Sequence, residues 1–150
     1  MTEHDPRRMP SFVIKQLANE LIRRGEARLR PLGFGFSTLP ILVAVKNGEA
    51  MTQADLARAL KVEQPSMAQA LARMERDGLI QRRQNPNHRT NQFVELTAHA
   101  TRLLPKARAL LAQDNALAME GFTPEEAEAL MRFLERMTEN LRKPASDQSV

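Results

Sequence analysis

The 150-residue chain has no cysteine, no tryptophan and no tyrosine. Without a thiol it forms no disulfide and offers no thiolate to sense peroxide or hold a soft metal. Its three histidines, His4, His88 and His99, stand apart in an N-terminal tail, a turn and an early helix position. A zinc site takes three or four nitrogen or sulfur ligands, so neither a metal nor another cofactor is expected. Phenylalanine, with six copies, is the only aromatic residue. No apolar run has the length of a membrane span and no signal peptide is visible, so a cytoplasmic protein with no membrane partner is expected. Catalytic signatures are missing as well: there is no phosphate-binding glycine loop, no Gly-x-Ser-x-Gly and no paired metal motif. The chain does not read as an enzyme.

What is present is positive charge, concentrated in one place. Twenty-two Lys and Arg against 18 Asp and Glu leave a formal charge of +4, which favours polyanionic partners. Between residues 73 and 108, Arg73, Arg76, Arg82, Arg83, Arg89, Arg102, Lys106 and Arg108 face only Glu75, Asp77 and Glu95. Beyond residue 108 acids outnumber bases.

That basic stretch overlaps a recognisable local order. Thr52-Gln-Ala-Asp55 is a near-match to a capping box and starts a short helix with Leu56, Ala57 and Leu60 as its apolar stripe. Lys61-Val62-Glu63 turns the chain. A second helix opens at Gln64-Pro65-Ser66, with Gln64 as the expected cap and Pro65 in the first turn, where a missing N–H is harmless. Met67, Leu71 and Met74 recur at helical spacing, and Gly78 stops the helix. Leu79 to Gln84, the turn Asn85-Pro86-Asn87-His88 and Gln92 to Thr97 then read as strand, turn and strand. Helix, turn, helix and basic ribbon form a device for placing side chains in a DNA groove.

Val62-Glu-Gln-Pro-Ser66, the run Ala68-Gln-Ala-Leu-Ala-Arg-Met-Glu-Arg-Asp-Gly-Leu-Ile80 and the ribbon ending Val94-Glu-Leu-Thr97 resemble the MarR family of bacterial regulators, with a SlyA-like branch nearest. The resemblance is strongest over residues 38–100. It implies a homodimeric transcription factor on double-stranded DNA, often a repressor, often released by a small amphipathic aromatic anion. The implied fold is mainly α with a small β-ribbon wing: one domain over residues 1–150, with a winged helix-turn-helix at about 38–100 between dimerisation helices at about 11–30 and 98–142. A helical adaptor or anti-repressor that kept this fold without binding DNA is the alternative.

A recognition helix meets base edges with its first turns. Against the stripe of Met67, Leu71 and Met74, the outward positions are Gln64, Ser66, Ala68, Gln69 and Arg73. Gln69 can bond bidentately to adenine, Pro65 and Ala68 can touch a thymine methyl, and Ser66 is a phosphate or base-edge donor. Arg73 suits phosphate, as do Thr52 and Gln53 at the start of the preceding helix. In the ribbon, Arg82, Arg83 and Arg89 are the steering charges. Family members commonly carry Asp-x-Arg at the ribbon tip, where the Asp braces the wing and the Arg enters the minor groove. This chain has His88 and Thr90 there, with Arg89 between them. Side chains alternate faces along a strand, so Arg89 is not automatically a substitute for an arginine at 90.

The flanks read as long helices. Met1 to about Pro10 reads as a loose arm, and Phe12 to Arg30 as a helix with Phe12, Leu17, Leu21 and Ile22 on its apolar stripe. Ser37 is the expected cap of a helix that Asn47-Gly48 closes. Thr97 caps a helix running to about Glu120, bent but not ended by Pro105. Thr123-Pro-Glu-Glu126 is a capping box opening a last helix, before a loose tail from Lys143. These stripes exceed what a winged domain needs for closure, and a two-fold homodimer is the natural way to cover them. By resemblance an effector would sit between dimer helices and winged domain, with Phe12, Phe34, Phe36, Ile41 and Val45 as apolar candidates and Arg23, Arg24 or Arg28 opposite an anion.

Overall fold

Local signals set most of the helix boundaries. The structure, a computed structural model, describes residues 5–49 and 52–143, and the side chain of Arg89 is also outside the described set. Met1 to His4 of the expected arm, Met51 just before the Thr52 box, and the expected tail beyond Lys143 therefore lie outside the described residues. The rest of the arm is ordered as a 3-10 turn, Pro6–Arg8, capped by Asp5, whose carboxylate accepts from the Arg7 N–H at 3.0 Å.

Helix α1 (Pro10–Leu29) starts on a proline and ends in a second 3-10 turn, Arg30–Leu32. Helix α2 (Leu39–Lys46) is capped positionally by Thr38, not by Ser37. Thr38 gives α2 no side-chain cap; its hydroxyl donates to the Gly35 carbonyl at 2.8 Å and accepts the Gly35 N–H at 3.1 Å. The loop's own turn wins that hydroxyl. Asn47 closes α2 as expected.

Helix α3 (Gln53–Ala59) carries the full capping box: Thr52 Oγ1 accepts from the Asp55 N–H and the Asp55 carboxylate accepts from the Thr52 N–H, each at 3.2 Å. Aspartate thus does the work usually assigned to Glu. Lys61, at φ 54°, makes the turn, and helix α4 (Gln64–Arg76) follows. Its cap is Glu63, in extended conformation, so Gln64 and Pro65 are the first two helical residues. Gly78 follows the α4 cap at φ 73°, a left-handed conformation that glycine adopts without strain.

Strands β1 (Ile80–Asn85) and β2 (His88–Leu96) form an antiparallel ribbon. The second strand begins at His88 rather than Gln92, because the ladder resumes beyond a register break. Gln84 pairs with Gln92, but Asn85 pairs with His88, leaving 89–91 between the two pairings. Four polar residues with no apolar alternation gave no strand signal. Helix α5 (Ala98–Ala118) starts with Thr97 Oγ1 accepting from the Ala100 N–H at 3.2 Å and runs through Pro105, ending two residues before Glu120. Helix α6 (Pro124–Arg142) opens on the predicted Thr123–Glu126 box.

The chain separates into two compact units between Asp114 and Asn115. In the first, one core joins Leu29, Leu42, Leu56, Met67, Leu71, Met74, Leu79, Ile80, Val94 and Leu104, so the expected stripe of α4 is buried. Gly25 brings α1 close to its loop: a Cβ there would lie 2.4 Å from the Phe36 ring and 3.3 Å from Leu111. Nearby, Asp114 is buried, and its Oδ1 accepts from Arg28 at 3.1 Å and from Arg24 at 3.4 Å, which ties α1 to α5. Its Oδ2 has no hydrogen-bond partner among the described residues. In the second unit α6 carries Met131, Phe133 and Leu141 exposed. No described helix is long and apolar enough to cross a membrane.

Candidate nucleic-acid interface

The core of the first unit holds α3, α4 and the ribbon in fixed relation, and their polar ends converge. A backbone bridge between Thr52 and Phe93 ties the start of α3 to β2. Gln53 Nε2 donates to Gln64 Oε1 at 3.4 Å, linking the first residues of α3 and α4. Between them and the ribbon lies a polar cleft of about 200 Å³, lined by Thr52, Gln53, Ala54, Gln64, Arg82, Thr90, Asn91 and Gln92.

Five residues singled out from the sequence therefore meet in one cleft: Thr52, Gln53, Gln64, Arg82 and Thr90. Beside it on α4, Pro65, Ser66, Gln69 and Arg73 are exposed and Ala68 is half-buried, all pointing away from the buried Met67, Leu71 and Met74. The cleft also contains Ala54, Asn91 and Gln92, which the sequence did not mark. Asn91 and Gln92 lie at the register break, and no periodic signal announces a break.

Two details alter the expected electrostatics. The Thr52 N–H and the Asp55 N–H are already bonded within the capping box, so part of the helix start expected to face phosphate is satisfied internally. The ribbon arginines are also engaged: Arg82 Nε lies 3.5 Å from Glu75 Oε2, and Arg83 Nε donates to Glu95 Oε1 at 2.6 Å. Arg82 faces the cleft, on the same side as the buried Val94 opposite it. The two-residue period of a strand puts Arg83 on the other side. His88 is exposed opposite Asn85. Arg89 and Thr90 stand between the two pairings of the broken register, so strand alternation does not govern them. Where the Arg89 side chain goes lies outside the described residues.

The effector candidates divide between core and surface. Phe34 and Ile41 are core residues, Val45 and Phe36 are half-buried, and Phe12 is exposed on α1. Arg23 pairs with Glu20 on the exposed face of the same helix. A different cleft, of about 380 Å³, lies between α2 and α5 and sets Lys46, Thr101 and Arg108 around Leu104 and Pro105. Its two cations are 62 residues apart in sequence (108 minus 46), so only the fold brings them together.

Two helices joined by a tight turn and followed by an antiparallel ribbon define a winged helix-turn-helix protein. Residues 32–89 match the model of the MarR family. Among solved structures the chain is similar to a MarR-family regulator from Listeria monocytogenes complexed with 26mer DNA, at 25% identity and TM-score 0.76, covering 89% of each chain. It is similar to the MepR–DNA complex of S. aureus, at 21% identity and TM-score 0.79, covering 92% of this chain and 100% of that one. SlyA is another, at 22% identity and TM-score 0.77, with 86% and 91% covered.

Proposed function

We propose that this protein is a homodimeric transcriptional repressor that occupies an inverted-repeat DNA operator and is released by a small amphipathic anion. The match of residues 32–89 to the MarR family model and the fold shared with DNA-bound regulators support a DNA-binding regulator. The observation that carries the reading is the convergence of the α3 start, the α4 start and the ribbon on one polar cleft beside an exposed α4 face. In this reading Gln69 reads adenine in the major groove, Pro65 and Ala68 meet thymine methyls, and Ser66 serves a base edge or phosphate. Arg73, Arg82 and Gln53 neutralise or bind phosphates, and the tip at His88, Arg89 and Thr90 approaches the adjacent groove. The whole chain acts as one regulatory domain with its terminal helices as the dimer arms, and catalysis has no part in it.

For the effector, the cleft between α2 and α5 supports the reading better than the scattered set taken from sequence. It pairs two cations with an apolar floor, which suits an anion carrying a hydrophobic body.

Selection of bound duplexes from random DNA tests the reading. The expected product is an inverted repeat with half-sites about 10 base pairs apart, centre to centre. A chain that retains no DNA in a saturable, sequence-selective way would be an adaptor on the same fold, and the repressor reading would fall.

A further inference from the structure

Arg82 and Arg83 are neighbours in a basic ribbon, yet their surroundings differ in kind. Arg82 opens into the polar cleft. Arg83 sits on the opposite face, directly across the ladder from Phe93, with its guanidinium 4.9 Å above that ring. On the same face its Nε donates to Glu95 Oε1 at 2.6 Å. A short charge-assisted hydrogen bond and a cation–π contact together fix a guanidinium in one place. All three residues lie below the point where the register breaks, and Phe93 is also the residue bridged to Thr52 at the start of α3.

We propose that Arg83, Glu95 and Phe93 form a clamp that positions the ribbon tip against α3 and α4, and that Arg83 does not contact DNA phosphate. The tip beyond the clamp has a broken ladder, and a two-stranded ribbon has little stability of its own. The clamp supplies what the register lacks: it joins the strands on their outer face, while the bridge to Thr52 fixes them to the helices. Glu95 is thus a positioning residue that acts through Arg83. The inference rests on the DNA-binding reading for its functional consequence, but the clamp itself is a property of the free protein.

The experiment uses the full chain with its selected duplex and a random duplex of equal length, over a salt series. Glu95→Gln and Arg83→Gln should each weaken operator binding severalfold, with the salt slope of the parent retained and with effects that do not add in the double variant. Arg83→Lys keeps the charge but loses the planar fork and stacking, and should weaken binding like Arg83→Gln. Reversing the pair, with Arg83→Glu and Glu95→Arg together, should recover part of the affinity. In the free protein, amide exchange over residues 88–96 should quicken in Glu95→Gln while that of α4 stays the same.

A salt slope flattened by about one unit in Arg83→Gln would make Arg83 a phosphate ligand and overturn the proposal. Tighter binding by Glu95→Gln would overturn it too, because Glu95 would then be masking a DNA-facing cation. Unchanged ribbon exchange would remove the clamp whatever the DNA result. If the parent bound no DNA but the exchange effect appeared, the regulator reading would fail and the clamp would stand without its proposed consequence.

Discussion

Helices α4 and α1 carry the same kind of apolar pattern, and the structure treats them in opposite ways. Leu71 in α4 is 0% exposed, whereas Leu17 in α1 is 48% exposed, with Phe12, Val13 and Ile22 beside it in the same condition. The α4 stripe finds its partners inside its own chain, in Leu56, Leu79, Ile80 and Val94. The α1 stripe finds few. Periodicity therefore reports that a face must be covered and says nothing about which molecule covers it. In the proposed homodimer a second copy covers α1, and α6, with Leu141 86% exposed, offers another such face.

The largest expected effect attacks the uncovered face. Leu17→Asp with Ile22→Asp leaves the buried core untouched but places charge where a second copy would pack. Sedimentation should show a monomer, and operator affinity should fall by roughly 10²-fold or more as bivalent engagement is lost. A folded double variant that stays dimeric would place the interface elsewhere. Truncation after Ala100 is a poorer tool, because it removes Leu104 and Ala107 from the core.

On the covered face, Leu71→Ala should cost about 2–5 kcal/mol of folding stability, measured by denaturant unfolding, since it empties a fully buried position. A loss below 1 kcal/mol would mean that the α4 core is looser than its burial indicates. The contrast then moves to the outer side of the same helix. Gln69→Ala should leave unfolding unchanged yet cost about 1–3 kcal/mol on the selected operator and far less on random DNA, at one fixed salt concentration. An unaltered ratio of the two affinities would return Gln69 to the solvated surface. The smallest effect belongs to Arg82→Ala. It should weaken all sequences alike and flatten the dependence of affinity on salt by about one unit, and a change in base preference at one position would instead make Arg82 a reader of sequence.

What the sequence made legible was local in origin. Both capping boxes, at Thr52 and Thr123, depend on residues three apart, and both formed. Gly78 ended α4 for an equally local reason, and Met67, Leu71 and Met74 turned inward as their spacing required. Errors arose where one group has two rival partners, or where cross-strand register decides. Thr38 spends its hydroxyl on Gly35 rather than on capping α2. The early start of β2 at His88 depends on pairing across the hairpin, which polar residues do not advertise. The candidate site divided along the same line. Exposed positions on α4 follow from helical period alone, whereas the different surroundings of Arg82 and Arg83 follow from ribbon register and from partners 12 residues away in the case of Arg83 and Glu95. Phe34 and Phe36, two residues apart in one loop, looked equivalent as candidate cavity walls. One is buried in the core, and the other closes over a helix backbone.

That closure reverses a common rule of protein engineering. Glycine inside a helix ordinarily weakens it, and exchanging it for alanine gains about 1 kcal/mol. At Gly25 the added methyl would have to occupy space already taken by the Phe36 ring, with Leu111 close behind. The Phe36 backbone is also held by its N–H, which donates to Glu26 Oε1 at 2.7 Å, so a shift of the loop to make room would draw on that bond. Gly25 is the one glycine of the six that lies inside a helix, so filling helix glycines has a single target in this chain and it is a poor one: a Gly25→Ala variant should melt at a lower temperature than its parent.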